Sequence, residues 1–231
     1  MKDGIIKNTL YKSGLYPNIK SHAIYDFYKY MLKKNFWEKE KIQVSFYRNT
    51  INKNDNILIF DIGANRGDKA DIFRRFANKI ICVEPDKKNI DFMRKRFKSI
   101  SSIEIVPKAI DSHICDKEFY INNIDSAFNT LNIKWKKALE TQNRFNIHFD
   151  FYTNYSVHTT TIDELIATYG MPDYIKIDVE GYELHAIQGL SHTIPFISFE
   201  ANLPEFKEET IECSNLLSKL SKRTLFSYSQ D

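Results

Sequence analysis

The sequence predicts an α/β protein: a doubly wound, mostly parallel sheet preceded by an N-terminal helical segment. Three observations predict it. From residue 56 onward, short apolar runs alternate with helical patterns, and that alternation builds parallel sheets. The first run, "NILIF", leads through Asp61 into a glycine-bracketed turn, "DIGANRG". The second run, "KIICVE", ends on Glu84 and is closed by Pro85.

Taken in order, "NILIF" (56–60) reads as a fully buried strand. A helix follows from about Arg66, burying Ile72, Phe73 and Phe76. "KIICVE" (79–84) is the second strand, "DKKNIDFMRKRF" (86–97) the second helix and "SIEIV" (102–106) the third strand. "PDYIKID" (172–178) is the fourth, followed by a helix over 181–190. "PFISFEA" (195–201) is the fifth, a helix spans 205–221, and "TLFSYS" (224–229) reads as a sixth strand.

Residues 112–160 interrupt this rhythm as an insertion. "KEFYIN" and "NIHFDFY" read as strands, with "WKKALETQ" a helix between them. An insertion there would sit beside the carboxyl ends of the sheet, where open α/β sheets bind ligands. "TIDE" (161–164) fits a capping box, so Thr161, Asp163 and Glu164 have a structural explanation.

Upstream, residues 1–55 form a separate helical cap or lid segment, with the boundary at "NKND" (52–55). Ile24, Phe27, Tyr28 and Met31 fall at helical spacing. As a lid, this segment would bring Tyr25, Tyr30 or Trp37 to a pocket; as a packing helix, it would simply cover the main domain. It carries 11 Lys/Arg against 5 Asp/Glu, whereas the whole chain has a net charge of only +3. That basic excess fits either a solvated helical face or an anionic partner such as RNA. No run is long enough to span a membrane. Cys82, Cys115 and Cys213 form no CxxC pair, which gives the expectation of reduced thiols in a cytoplasmic protein.

The glycine turn sets the chemistry. A turn from buried strand to helix offers free backbone N–H groups. Gly63 lets a ligand approach the backbone, and Gly67 would let helix and strand pack tightly. The spacing is GxxxG, not the GxGxxG of a dinucleotide site. No Gly-Lys-Ser/Thr follows, so a Walker loop is excluded. Asp61 would repel a pyrophosphate and suits a ligand with a positive amino group. Glu84, one strand over, suits two ribose hydroxyls. A cationic end, a ribose and no pyrophosphate describe S-adenosylmethionine.

The motifs "FDIGANRGDKA" (60–70), "VEPD" (83–86), "TTTIDEL" (159–165) and "DYIKIDVEGYELHAIQGL" (173–190) resemble the FkbM family of class I methyltransferases. The resemblance covers roughly residues 50–205. It implies a Rossmann-like sheet and transfer of a methyl group from S-adenosylmethionine, usually to a hydroxyl oxygen. Substrates of that family include sugars and natural-product hydroxyls, so a small-molecule or saccharide acceptor is expected without its identity. No RNA-recognition motif is present, so no nucleic-acid partner is expected. Class I sheets usually have seven strands, and the sequence shows six.

On this reading Asp61, Gly63, Asn65 and Gly67 border the methionine part of the cofactor, and Glu84 holds the ribose. "PKAID" (107–111), with Ala109, approaches the adenine. Asp178, at the end of the fourth strand, faces the cofactor methyl and is the first candidate for base or acceptor anchor. Acidic groups at a helix start are also favoured for electrostatic reasons, which is the structural alternative for Asp178 and Glu180. His158 is a second general-base candidate. Ser126 and Asn129 either line the pocket or form a turn. Asp178, Glu180 and Glu200 are hard oxygen donors, so Mg²⁺ is an alternative aid to catalysis. The competing classes are a nucleotide-dependent oxidoreductase on the same fold and a non-catalytic RNA-binding module using the basic N-terminal segment.

Overall fold

The computed structural model describes residues 36–51, 55–122, 125–141 and 149–220. In chain order the elements are α1 (Phe36–Ile51), β1 (Leu58–Ile62), α2 (Asp68–Phe73), β2 (Lys79–Val83), α3 (Lys87–Arg96) and β3 (Ile103–Val106). Next come β4 (Ala109–Ile110), β5 (Asp116–Asn122), a 3₁₀ turn (Ser126–Phe128), α4 (Ile133–Thr141) and β6 (Phe151–Thr160). The chain continues through α5 (Ile162–Tyr169), β7 (Tyr174–Ile177), α6 (Glu183–Gln188), β8 (Phe196–Phe199) and α7 (Lys207–Leu220). It divides into two units, Met1–Asn49 and Thr50–Asp231.

The main sheet has five strands in the order β3-β2-β1-β7-β8, all pairing in parallel. Its central strands read as continuous apolar runs because both faces are covered. Phe60, Ile62, Ile81, Val83, Ile175 and Ile177 pack with Ile162, Leu165, Ala186, Ile187 and Leu217 from α5, α6 and α7. On the opposite face, Phe73 of α2 meets Tyr174 of β7 edge to face at 5.8 Å. The strand order reverses between β1 and β7. Ligands of open α/β sheets sit at that switch point, outside the carboxyl ends.

The insertion builds its own sheet, ordered β4-β6-β5. Strand β6 is parallel to β4 and antiparallel to β5. It begins at Phe151 and runs through the threonines to Thr160, later and longer than the expected "NIHFDFY" strand. The reason is alternation: Val157 and Thr159 are buried on either side of the exposed His158. Thr161 caps α5 by accepting from the Glu164 N–H at 3.0 Å.

Helix α2 starts two residues later than expected, because Gly67 holds a left-handed φ of 77° immediately before it. Phe76 falls in the turn beyond that helix and is half-buried. The three cysteines are free, with Cys82 and Cys213 buried. No helix among the described residues is long and apolar enough to cross a membrane. The expected helix around Ile24 to Met31, the side chains of Tyr25, Tyr30 and Trp37, and the expected strand at 224–229 lie outside the described residues.

Candidate active site

A cleft of about 670 Å³, counting its open mouth, lies at the carboxyl ends of β1, β2 and β7. Gly63, Asn65, Glu84 and Asp178 line it from the main sheet, and Ala109, Phe119, Ser126, Asn129 and Leu131 from the insertion and its approach.

The glycine turn is shaped by close packing. Gly63 and Ala64 both donate backbone N–H groups to the Val83 carbonyl, at 3.0 and 3.1 Å. Gly63 has φ 75°, and a Cβ there would collide with the Asp178 carbonyl oxygen. A glycine is therefore required where β1 and β7 converge beside the cavity. Gly67 answers to a different neighbour, since its Cβ would strike the Phe97 ring. It seats the turn against the end of α3, the packing role expected of it, and is not among the residues that line the cavity.

Glu84 is buried beneath the cavity wall. It accepts from the Asn65 N–H at 2.8 Å and the Asp86 N–H at 2.9 Å. Burial raises its pKa to about 7, against the pull of those two hydrogen bonds. The insertion is stitched to this corner. Asn129 Nδ2 donates to Asp86 Oδ2 at 2.8 Å. Ser126 Oγ lies 3.3 Å from Asn65 Oδ1 and 3.2 Å from Asn89 Oδ1. Ser126 and Asn129 thus both line the pocket and form the turn.

Across the cavity the arrangement is different. Asp178, Glu180 and Glu200 bring one carboxylate oxygen each within 4.8 Å of one another. Glu180 takes a left-handed φ of 53°, and its carbonyl accepts from Thr130 Oγ1 at 2.8 Å. Burial and the neighbouring Asp178 push Glu200 up to about 7. Burial, then Asp178 and Glu200, raise Glu180 as well. Glu183 is buried and accepts from the Val179 and Gly181 N–H groups at 3.0 and 3.3 Å, pinning the loop that carries Glu180.

Two expected residues sit elsewhere. Asp61 is fully buried and absent from the cavity lining. It faces Lys176 Nζ at 3.6 Å, an ion-pair distance. Among the described residues, the cation that it faces is thus an internal lysine, and its side chain does not face the cavity. His158 is exposed on β6 and pairs with Asp116 at 3.0 Å. It also lies outside the lining residues, because the alternation of β6 turns Val157 and Thr159 inward and His158 outward. Sequence reasoning overlooked Lys176, although "YIKID" places it two residues before Asp178, on the same side of a strand.

The methyltransferase FkbM domain model matches residues 61–225 of the chain. The chain belongs to the FkbM methyltransferase family. Among solved structures, this FkbM methyltransferase is similar to a precorrin-6y C5,15-methyltransferase from Geobacter metallireducens at 11% identity, covering 78% of this chain and 71% of that one, with a TM-score of 0.41. It is also similar to the YcgJ protein from Bacillus subtilis at 17% identity, over 30% of this chain and 33% of that one, with a TM-score of 0.26. No curated protein matches it significantly. The family match alone carries the assignment to methyl transfer, and it sets aside the oxidoreductase alternative. The basic segment invoked for RNA binding lies mostly outside the described residues.

Membership implies S-adenosylmethionine as the methyl donor, and the residues present fit it. Glu84 and Asn65 offer polar atoms at the ends of β2 and β1, where a ribose is held in such sheets. Ala109, Ile110 and Phe119 form an apolar wall suited to a flat base. Asp178 stands at the opposite side with its side chain 36% exposed.

Proposed function

We propose that this protein transfers the methyl group to a hydroxyl oxygen of a small-molecule or saccharide acceptor. The observation that carries the reading is the acidic group of Asp178, Glu180 and Glu200 beside the cavity, with two of its members raised in pKa. When bound, the cofactor supplies an electrophilic methyl carbon on a positively charged sulfur.

Glu84 and Asn65 hold the ribose, and Ala109 borders the adenine. Asp178 receives or orients the acceptor hydroxyl, and removal of that proton makes the oxygen a competent nucleophile. Glu200 and Glu180 sit close enough to share the released proton. Neutral sugars fit such a site because carboxylates accept hydrogen bonds from hydroxyl groups. The main unit, Thr50–Asp231, contains every residue named here.

A second reading of the same three carboxylates is a Mg²⁺ site, because hard oxygen donors converge there. Both readings rest on the same three carboxylates, and removal of divalent metal separates them.

The test is transfer of a radiolabelled methyl group to a panel of methyl glycosides and small hydroxyl compounds, with and without EDTA. Label in an ether linkage supports the proposal, and label only on nitrogen or carbon overturns it. Activity that survives EDTA removes the metal reading.

A further inference from the structure

We propose that Lys176 is a positioning residue for the acceptor side: its ammonium, seated on the buried Asp61 carboxylate, fixes the Asp178 carboxylate toward the cavity. The inference rests on the reading of Asp178 as base or acceptor anchor.

Three features carry it. Lys176 and Asp178 project to the same side of the β7 line, two residues apart. The parallel register sets Asp61 of β1 directly beside Lys176. Lys176 Nζ is then 3.0 Å from Asp178 Oδ2 and 3.6 Å from Asp61 Oδ1.

Asp61 is the odd residue of its strand. "LIFDI" is otherwise apolar and buried, and neither Asp61 oxygen has a hydrogen-bond partner among the described residues. A buried carboxylate is costly unless it is paired. Lys176, only 12% exposed, supplies the pairing charge, and Lys69 of α2 adds a weaker pull. In return Asp61 restrains a long, flexible lysine stem.

The other charged groups acting on the Asp178 region are acids. Glu200 directly follows β8, and Glu180 and Glu183 come from the loop and helix after β7. Glu200 crowds the Asp178 carboxylate and hydrogen-bonds to it, whereas Lys176 is the cation that holds Oδ2, at 3.0 Å, on a side chain that lines the cavity. The ammonium that Asp61 was expected to meet is thus part of the protein.

The experiment needs no identified acceptor. S-adenosylhomocysteine probes the cofactor pocket. Sinefungin, which carries an amine in place of the transferable methyl, probes the carboxylate that faces the methyl position. Calorimetry gives the ratio of their dissociation constants. The wild type is expected to prefer sinefungin by about tenfold, the scale of one hydrogen bond to a charged group, and Asp178→Asn to abolish the preference.

The double variant Asp61→Asn/Lys176→Met removes both buried charges together, so neither is left stranded. It should bind S-adenosylhomocysteine within about threefold of wild type yet lose most of the preference, and Lys176→Arg should retain it. A double variant that keeps the full preference while Asp178→Asn loses it overturns the role of Lys176. A wild type without preference, or an Asp178→Asn variant that keeps it, overturns the reading of Asp178 and this inference with it. Should the double variant not fold, Asp61→Asn alone frees the ammonium from its seat, and an unchanged ratio there overturns the proposal.

Discussion

The two acidic sides of the cavity are built on opposite plans. Glu84 is gripped by protein donors, the Asn65 and Asp86 N–H groups at 2.8 and 2.9 Å, and the Asp86 carboxylate is only its weakest influence. Asp178, Glu180 and Glu200 crowd one another within 4.8 Å, with Lys176 drawn against Asp178. A carboxylate held by fixed donors is oriented and suited to binding. Carboxylates held mainly by one another exchange protons easily, because one proton relieves the repulsion of the set. The contrast separates a side that grips from a side that reacts.

The largest expected effect breaks the reacting side. Asp178→Asn should lower methyl transfer by about 10²- to 10⁴-fold, the range for loss of a general base. Binding of S-adenosylhomocysteine should stay within about threefold if anchoring lies elsewhere. Steady-state kinetics with an accepting compound from the hydroxyl panel, beside calorimetry, checks both halves.

Next in size is Gly63→Ala, which tests whether the two sides must meet at one turn. A left-handed φ and a collision with the Asp178 backbone together cost about 3 kcal/mol. Thermal denaturation should show a lower midpoint, and a variant as stable as wild type would contradict the packing described here.

A pH series sharpens the comparison. The folded pKa of Glu200 is raised to about 7 from an ordinary 4.5. The native state therefore keeps a proton that the unfolded chain has already released. The contribution from this group is full below about pH 4.5 and falls as pH rises toward 7. Glu200→Gln should flatten the decline in melting temperature over that window, and an identical profile would contradict the crowding. The smallest effect is expected at His158. Being exposed and outside the cavity lining, it should tolerate replacement by alanine with turnover within about twofold.

Much of the main sheet was legible in sequence. Runs such as "LIFDI" and "KIICV" are apolar on both faces, and glycine, proline and capping residues punctuate the helices between them. Glu84, Asn65, Gly63, Ala109 and Asp178 were identified from strand ends and family motifs, and all of them line the cavity. The packing role of Gly67 was expected, but its partner Phe97 was not, and the pairing of Asp61 with Lys176 was not legible, because each partner is distant in the chain. Asp61 meets Lys176 only through the β1–β7 register, and Gly67 meets Phe97 only through the seating of α3. The acidic group likewise needs β7 and β8 side by side before Glu200 reaches Asp178. His158 was misplaced because the length of β6, and hence its inward and outward faces, was not read correctly.

The most direct test is calorimetric titration of S-adenosylhomocysteine into wild type, Glu84→Gln and Asp178→Asn. A gripping side and a reacting side predict clear binding by wild type, about 10- to 100-fold weaker binding by Glu84→Gln and near-normal binding by Asp178→Asn. Equal losses in the two variants, or a folded wild type that does not bind, would contradict the account.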